Sequence, residues 1–381
     1  MPVTHPVFEI SEQLAWSDSL RAIGRQPLAE CPEFPRIAQR FDAWWRQEVI
    51  DRPLWIATAN NNPASPITRR IDLIEKPDEW LNAKLRDLHQ TAWFGDAIPH
   101  IRVDFGAACL GALLGAPIEF SSDTTWTHAC IKSDDWSDAP SFKLDTEGKW
   151  WKLFQHLLDN AAEAAKGQFL VCTPSPGGLA DVLTNLRGAT EICMDLLEQP
   201  DRIVNAMNEM HLAWHQAFCE LYHRPLAKGA GLFHWHLVWS DVPYVVNECD
   251  LAFSIGPTEF RDICLPDIER TAQSVGRSIF HLDGVGSTRH LDALLEIPEI
   301  RAIQYTPGAG SPSAMAWLDM FHRVQDAGRS VLIFAPAREV VPLFESLRPE
   351  GLAVLVDGPA SVQELQQIQH QISSRFGEQN V

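Results

Sequence analysis

The stretch Ser278-Ile-Phe-His281-Leu-Asp283-Gly284-Val-Gly286 carries an imidazole and a carboxylate two residues apart, followed at once by glycines. Side chains two apart on a β-strand project from one face, so His281 and Asp283 would leave the end of a strand together. Such a pair is half of a metal site, or a base with the group that orients it, or a hydrogen bond that closes a loop. Further candidates stand nearby in type. Asp104 ends the run His100-Ile-Arg-Val-Asp104, and Asp357 follows the apolar run Leu352-Ala-Val-Leu-Val356. His234 and His236 flank Trp235 in a segment, 232–239, that reads as extended. His211 and His215 have a metal-compatible spacing of four, but no acidic residue completes the motif, so they read as a pair on a helix surface.

The elements that must hold these residues alternate along the chain. Strand-like runs fall at about 53–58, 99–104, 168–173, 250–254, 278–282, 301–305, 330–334 and 352–356, most of them separated by stretches of helical periodicity. Between the third and fourth, for example, Ile203, Met207, Met210, Trp214, Phe218 and Leu221 form one apolar helical face. Eight such repeats predict an α/β fold of the TIM (β/α)8 barrel type. An open, doubly wound sheet is the competitor, but no GxGxxG follows the first strand and no Walker A sequence occurs. The expected organisation is an N-terminal helical extension over 1–50, then one barrel domain over 51–381 with an insertion at about 107–165. A barrel would gather the residues at its strand ends round one mouth. Asn60, Asn61, Asn62 and Gln304 would then meet a substrate, with Trp126 and Trp239 as aromatic walls.

Composition limits the partners. A formal charge of −19 over 381 residues opposes nucleic acid binding, which needs basic patches. No apolar run is long enough to span a bilayer, and the start of the chain lacks the basic and apolar parts of a signal peptide. Eight cysteines stand singly, without a CxxC pair. These features predict a reduced, cytoplasmic protein acting on a small molecule.

Two longer motifs carry a family resemblance. Cys249-Asp250-Leu-Ala-Phe-Ser-Ile-Gly-Pro-Thr-Glu-Phe, followed by Phe280-His281-Leu-Asp283-Gly284 and Arg289-His-Leu-Asp-Ala-Leu-Leu-Glu-Ile-Pro, is similar to the uroporphyrinogen decarboxylase superfamily, which also holds cobalamin-linked methyltransferases. The likeness runs from about 160 to 375 and resembles a branch of unknown reaction most closely. True uroporphyrinogen decarboxylases carry an arginine-containing loop after the first strand. Here the loop is Ala59-Asn60-Asn61-Asn62-Pro63, which offers no cation to a polycarboxylate. The methyltransferase branch holds zinc with His-x-Cys and a later Cys. The resemblance therefore implies a divalent metal, zinc or a harder ion, on His281, Asp283 and Asp357, with carboxylates where that branch has thiolates. His234, His236 and Asp104 would serve as acid and base. The leading reading is corrinoid-linked methyl transfer, the corrinoid being presented by a partner protein because no corrinoid-binding domain is visible. The alternatives are a decarboxylase or other lyase acting on a small carboxylate or polyol-like substrate, and a non-catalytic binding protein. A homodimer is compatible with either enzyme.

Overall fold

The computed structural model describes residues 10, 13–62, 64–65, 67–68, 71–103, 105–121, 124–308 and 310–377. Twelve strands are described: β1 (Leu54–Asn60), β2 (Thr91–Gly95), β3 (His100–Arg102), β4 (Ile118–Phe120), β5 (Thr125–Thr127), β6 (Leu170–Cys172), β7 (Leu232–Phe233), β8 (Val245–Glu248), β9 (Ser278–Asp283), β10 (Ile300–Thr306), β11 (Ser330–Ala335) and β12 (Leu352–Val356). Seven form one sheet in the order β2-β1-β12-β11-β10-β9-β8, parallel throughout except at the β1–β2 pair. A second parallel sheet runs β3-β6-β7, and β4 pairs with β5 as a separate hairpin. Among the described residues no ladder joins the first two sheets. The fold is mixed α/β with helices between its parallel strands.

The central strands are apolar along their length because both faces are covered. Of β11 (SVLIFA) only Phe334 is not buried, and β12 (LAVLV) is buried until its last two residues. Register then fixes the chemistry. On β9, His281 stands opposite Gln304 of β10 and Glu248 of β8, and Asp283 stands opposite Thr306.

Two local expectations are corrected. The segment expected as a strand at 250–254 begins with a 3-10 turn, Asp250–Phe253, and the strand lies before it at Val245–Glu248. Asp181 explains the change: its two carboxylate oxygens accept the backbone N–H groups of Asp250 (3.0 Å) and Leu251 (3.1 Å), which favours a helical start. The expected extended segment 232–239 is a strand only at Leu232–Phe233. It then turns, with the Leu237 N–H on the His234 carbonyl (2.8 Å) and Leu237 at φ 58°. A branched residue there is strained, since Cβ crowds the backbone in the left-handed region.

The helices Gln13–Gly24 and Phe34–Trp45 close the end where the strands begin. Trp44 donates its indole N–H to Val331 O (3.3 Å), Trp45 donates to Trp239 O (2.9 Å), and Ser330 donates to Trp44 O (2.6 Å). An ion network ties the same region to the sheet. Arg40 binds Asp51 and Asp96, and Asp96 also binds Arg52.

Asp42, on the second of these helices, is less well placed. Burial and then the nearby Asp241 carboxylate push its pKa up to about 7, against the pull of Arg277, Arg46 and Arg21. An unfolded aspartate titrates near ~4, so between the two values the folded chain binds more protons. Stability then falls as pH rises through that window. Asp42→Asn is expected to exceed the parent by on the order of 1–2 kcal/mol at pH 8, after a discount for partial exposure. The gain should shrink to roughly a third near pH 5. Urea denaturation at both pH values measures it, and an equal gain at each would refute the assignment to Asp42.

Candidate metal centre

A cavity of ≈480 Å³ opens at the ends of the strands, lined from β3 by Arg102, after β6 by Ser175, after β7 by Trp235, and from β8 and β9 by Glu248 and His281. Three groups converge there. One ligand atom each from Asp250, His281 and Asp283 lies within 4.8 Å of the other two. His281 Nε2 is 3.9 Å from Asp283 Oδ1. The other ring nitrogen, Nδ1, donates to Gln304 Oε1. Gln304 is oriented in turn by donating its amide N–H to Thr306 Oγ1 at 2.9 Å. With the Nδ1 proton held by a wholly buried amide, the Nε2 lone pair faces the two carboxylates. Metal-binding histidines commonly show this outer hydrogen bond.

Two further carboxyl groups crowd the triad. Burial, and then the charges of Asp250 and Asp181, push Glu248 well above the usual carboxylate range. Burial and Asp250 raise Asp181 likewise. Asp250 is raised by burial, lowered by His281 and raised again by Asp283. Arg102 is the one cation among the described residues that line the cavity. Among the described residues, four carboxyl groups crowd against one arginine and one imidazole, a mutual repulsion that a divalent cation would relieve. Two carboxylates and an imidazole fit zinc, and equally manganese, iron(II) or magnesium. The residues present therefore suit a divalent metal.

The other expected site residues fall in different places. Asp357 is exposed beyond β12, where its N–H bonds to Ala335 O (2.9 Å), and it is not among the three converging groups; Asp250 is. His236 is wholly buried beside Gln304, its ring 5.7 Å from that of His281, and burial holds it well below its usual pKa as a neutral ring. His234 turns away from the cavity. Its Nε2–H donates to Tyr244 O (3.0 Å) among Phe218, Tyr222 and Tyr244, and burial pulls its pKa down to about 4. Asp104 lies outside the described residues. Asn60 builds its own loop, donating to Ser65 O (2.8 Å) and accepting the Asn62 N–H (2.8 Å). Asn61 and Asn62 are exposed, and none of the three asparagines lines the cavity. Trp126 is 62% exposed on the β4–β5 hairpin. Trp239 is buried at the opposite end, edge-on to Phe34 at 5.1 Å. His211 is buried rather than on the helix surface, 3.8 Å from Asp267.

Arg102, Asp181 and Glu248 are site residues that the sequence reading did not single out. A signal existed for Arg102, which stands two residues before Asp104 in a run that reads as a strand and would therefore be expected to share its face. Trp235 completes the wall. Its ring meets His281 edge-on at 4.9 Å and Phe334 at 6.3 Å.

No family model matches the chain, and no curated protein matches it. Among solved structures, the crystal structure of macrophomate synthase aligns with 58% of this chain and 80% of its own, at 14% identity and a TM-score of 0.23. No helix among the described residues is long and apolar enough to cross a membrane.

Proposed function

We propose that the chain is a metal-dependent lyase of (β/α)8-barrel architecture, acting on a small, oxygen-rich carboxylate. The barrel reading draws on one cavity at the C-terminal ends of strands that belong to both sheets, where enzymes of that fold carry their chemistry. The observation that carries the metal reading is the convergence of Asp250, His281 and Asp283 within 4.8 Å beside that cavity.

A divalent ion bound there would supply Lewis acidity to a substrate carbonyl or hydroxyl oxygen. The protein's own groups do the rest. Arg102 offers a guanidinium to a substrate carboxylate in a cavity otherwise rich in acids. Trp235, Leu237 and Phe334 give the same cavity apolar walls that limit water. Gln304 and Thr306 hold the His281 ring in one tautomer. Methyl transfer to a thiol, with a corrinoid partner, is the weaker reading. A zinc centre that activates sulfur works best with electron-rich thiolate ligands, and the triad has none. The nearest cysteine in sequence, Cys249, is buried beside Cys264.

Elemental analysis of purified, untagged protein is expected to find about one divalent ion per chain. The loaded protein should then release carbon dioxide or an aldehyde from members of a panel of small oxo- and hydroxy-acids, and lose that activity to a chelator. A fully loaded protein that turns over none of the panel but methylates a thiol from a methylcorrinoid would overturn the lyase reading.

A further inference from the structure

A second cavity, of ≈770 Å³, lies at the end of the sheet where the strands begin, remote from the metal centre. Four arginines line it, Arg21, Arg46, Arg277 and Arg301, in a chain whose formal charge is −19. Cations in such a chain gather in one cavity only at a cost in mutual repulsion. Their acidic partners balance part of the charge. Asp241 accepts from Arg21 (3.4 Å) and from Arg277 (3.0 Å), and Glu48 accepts from Arg46 (2.9 Å). Asp42 also faces Arg277, but its carboxyl keeps its proton up to about pH 7. Arg301 is exposed, and no carboxylate among the described residues is paired with it. At least one positive charge is therefore uncompensated.

The donors are also held in place. Arg277 lies over the Trp45 ring at 5.0 Å and donates to Ser240 Oγ at 2.7 Å, so its guanidinium is fixed before any ligand arrives. Arg301 is close enough to Arg277 to oppose its charge. Arg301 has no carboxylate paired with it among the described residues, and Arg277 shares Asp241 with Arg21, so the two neighbouring guanidinium groups keep N–H donors that match the several oxygens of a phosphate better than the two of a carboxylate. The cavity is too large for an inorganic ion alone, and Trp45, Val242 and Val275 give it an apolar wall.

We propose that this cavity binds the phosphate group of a small phosphorylated metabolite, at a site separate from the metal centre. Calorimetric titration of the full chain tests it. The probes are inorganic phosphate and pyrophosphate, at ionic strength matched with chloride, after divalent ions have been removed so that the acidic cavity cannot contribute. Saturable binding of one probe per chain is expected. Arg301→Gln should weaken it about tenfold, the loss of one charge-assisted contact. Arg261→Gln, which alters a surface pair with Glu296 elsewhere, should leave it unchanged. Heat no greater than that of chloride would overturn the proposal, as would equal affinity in the parent and Arg301→Gln, or equal losses in both variants.

Discussion

Replacing Asp283 by alanine is expected to weaken divalent metal binding by more than about a hundredfold while the chain stays folded. Removing an outer-shell partner already costs 10–100-fold, and Asp283 supplies a ligand atom itself. Its side chain is 39% exposed at the end of β9, so little packing is lost with it. Two companions sharpen the result. Gln304→Leu should cost about 10–100-fold, since His281 Nδ1 then loses its acceptor and the ring is no longer held. Asp357→Ala should cost almost nothing, because that residue stands apart from the three converging groups. Elemental analysis, with a competition titration against a chromogenic chelator, measures all three. Full occupancy in the Asp283 variant would remove this residue from the ligand set. A large loss in the Asp357 variant would put that residue back.

Asp96→Ala is expected to lower folding stability by about 3–5 kcal/mol, the usual consequence of leaving a buried charge without its partner. Asp96 is wholly buried and accepts four hydrogen bonds, from Arg40 Nη1 (3.1 Å), Arg52 Nη1 (2.5 Å), Arg52 Nη2 (3.2 Å) and the Trp55 N–H (3.1 Å). Arg52 is only 4% exposed and could not reach water without moving the start of β1. Replacing both members with apolar residues of similar size, as in Arg52→Met with Asp96→Leu, should recover much of the loss. Urea unfolding of the three variants decides the matter. A loss below about 1 kcal/mol in Asp96→Ala would mean that the network positions the helix Phe34–Trp45 without stabilising it.

What could be read in advance follows the range over which each signal acts. His281 and Asp283 were legible because a strand alternates locally and a glycine marks its end. The approximate places of β1, β3, β6 and β9 to β12 were legible for the same reason. Asp250 was not, although its motif was in view. The turn that aims it depends on the carboxylate of Asp181, 69 residues earlier in the chain. His234 and His236 looked alike by alternation, yet the turn leading to Leu237 breaks the period and sends His234 to a carbonyl in the core. Asp357 ends a strand as expected, but a strand end does not say which way the next residue faces. Arg102 was legible as well, since it stands two residues before the carboxylate that ends the same strand-like run and would share its face.

The pairing of β1 with β12, and of Trp44 with Val331, has a consequence for how the molecule is made. The Trp44 indole meets a carbonyl 287 residues further along. While the chain leaves the ribosome, Leu54, Trp55 and Ile56 have no partner on that side until Ala353, Val354 and Leu355 arrive. Closing a loop of that size costs on the order of 5 kcal/mol in chain entropy before any contact repays it. Folding should accordingly be slow and finish after synthesis. For that interval the β1 edge, with Leu54, Trp55 and Ile56 buried in the finished protein, is an open template for another strand. Yield in a heterologous host should thus depend on temperature and chaperone supply more than on the stability of the folded state.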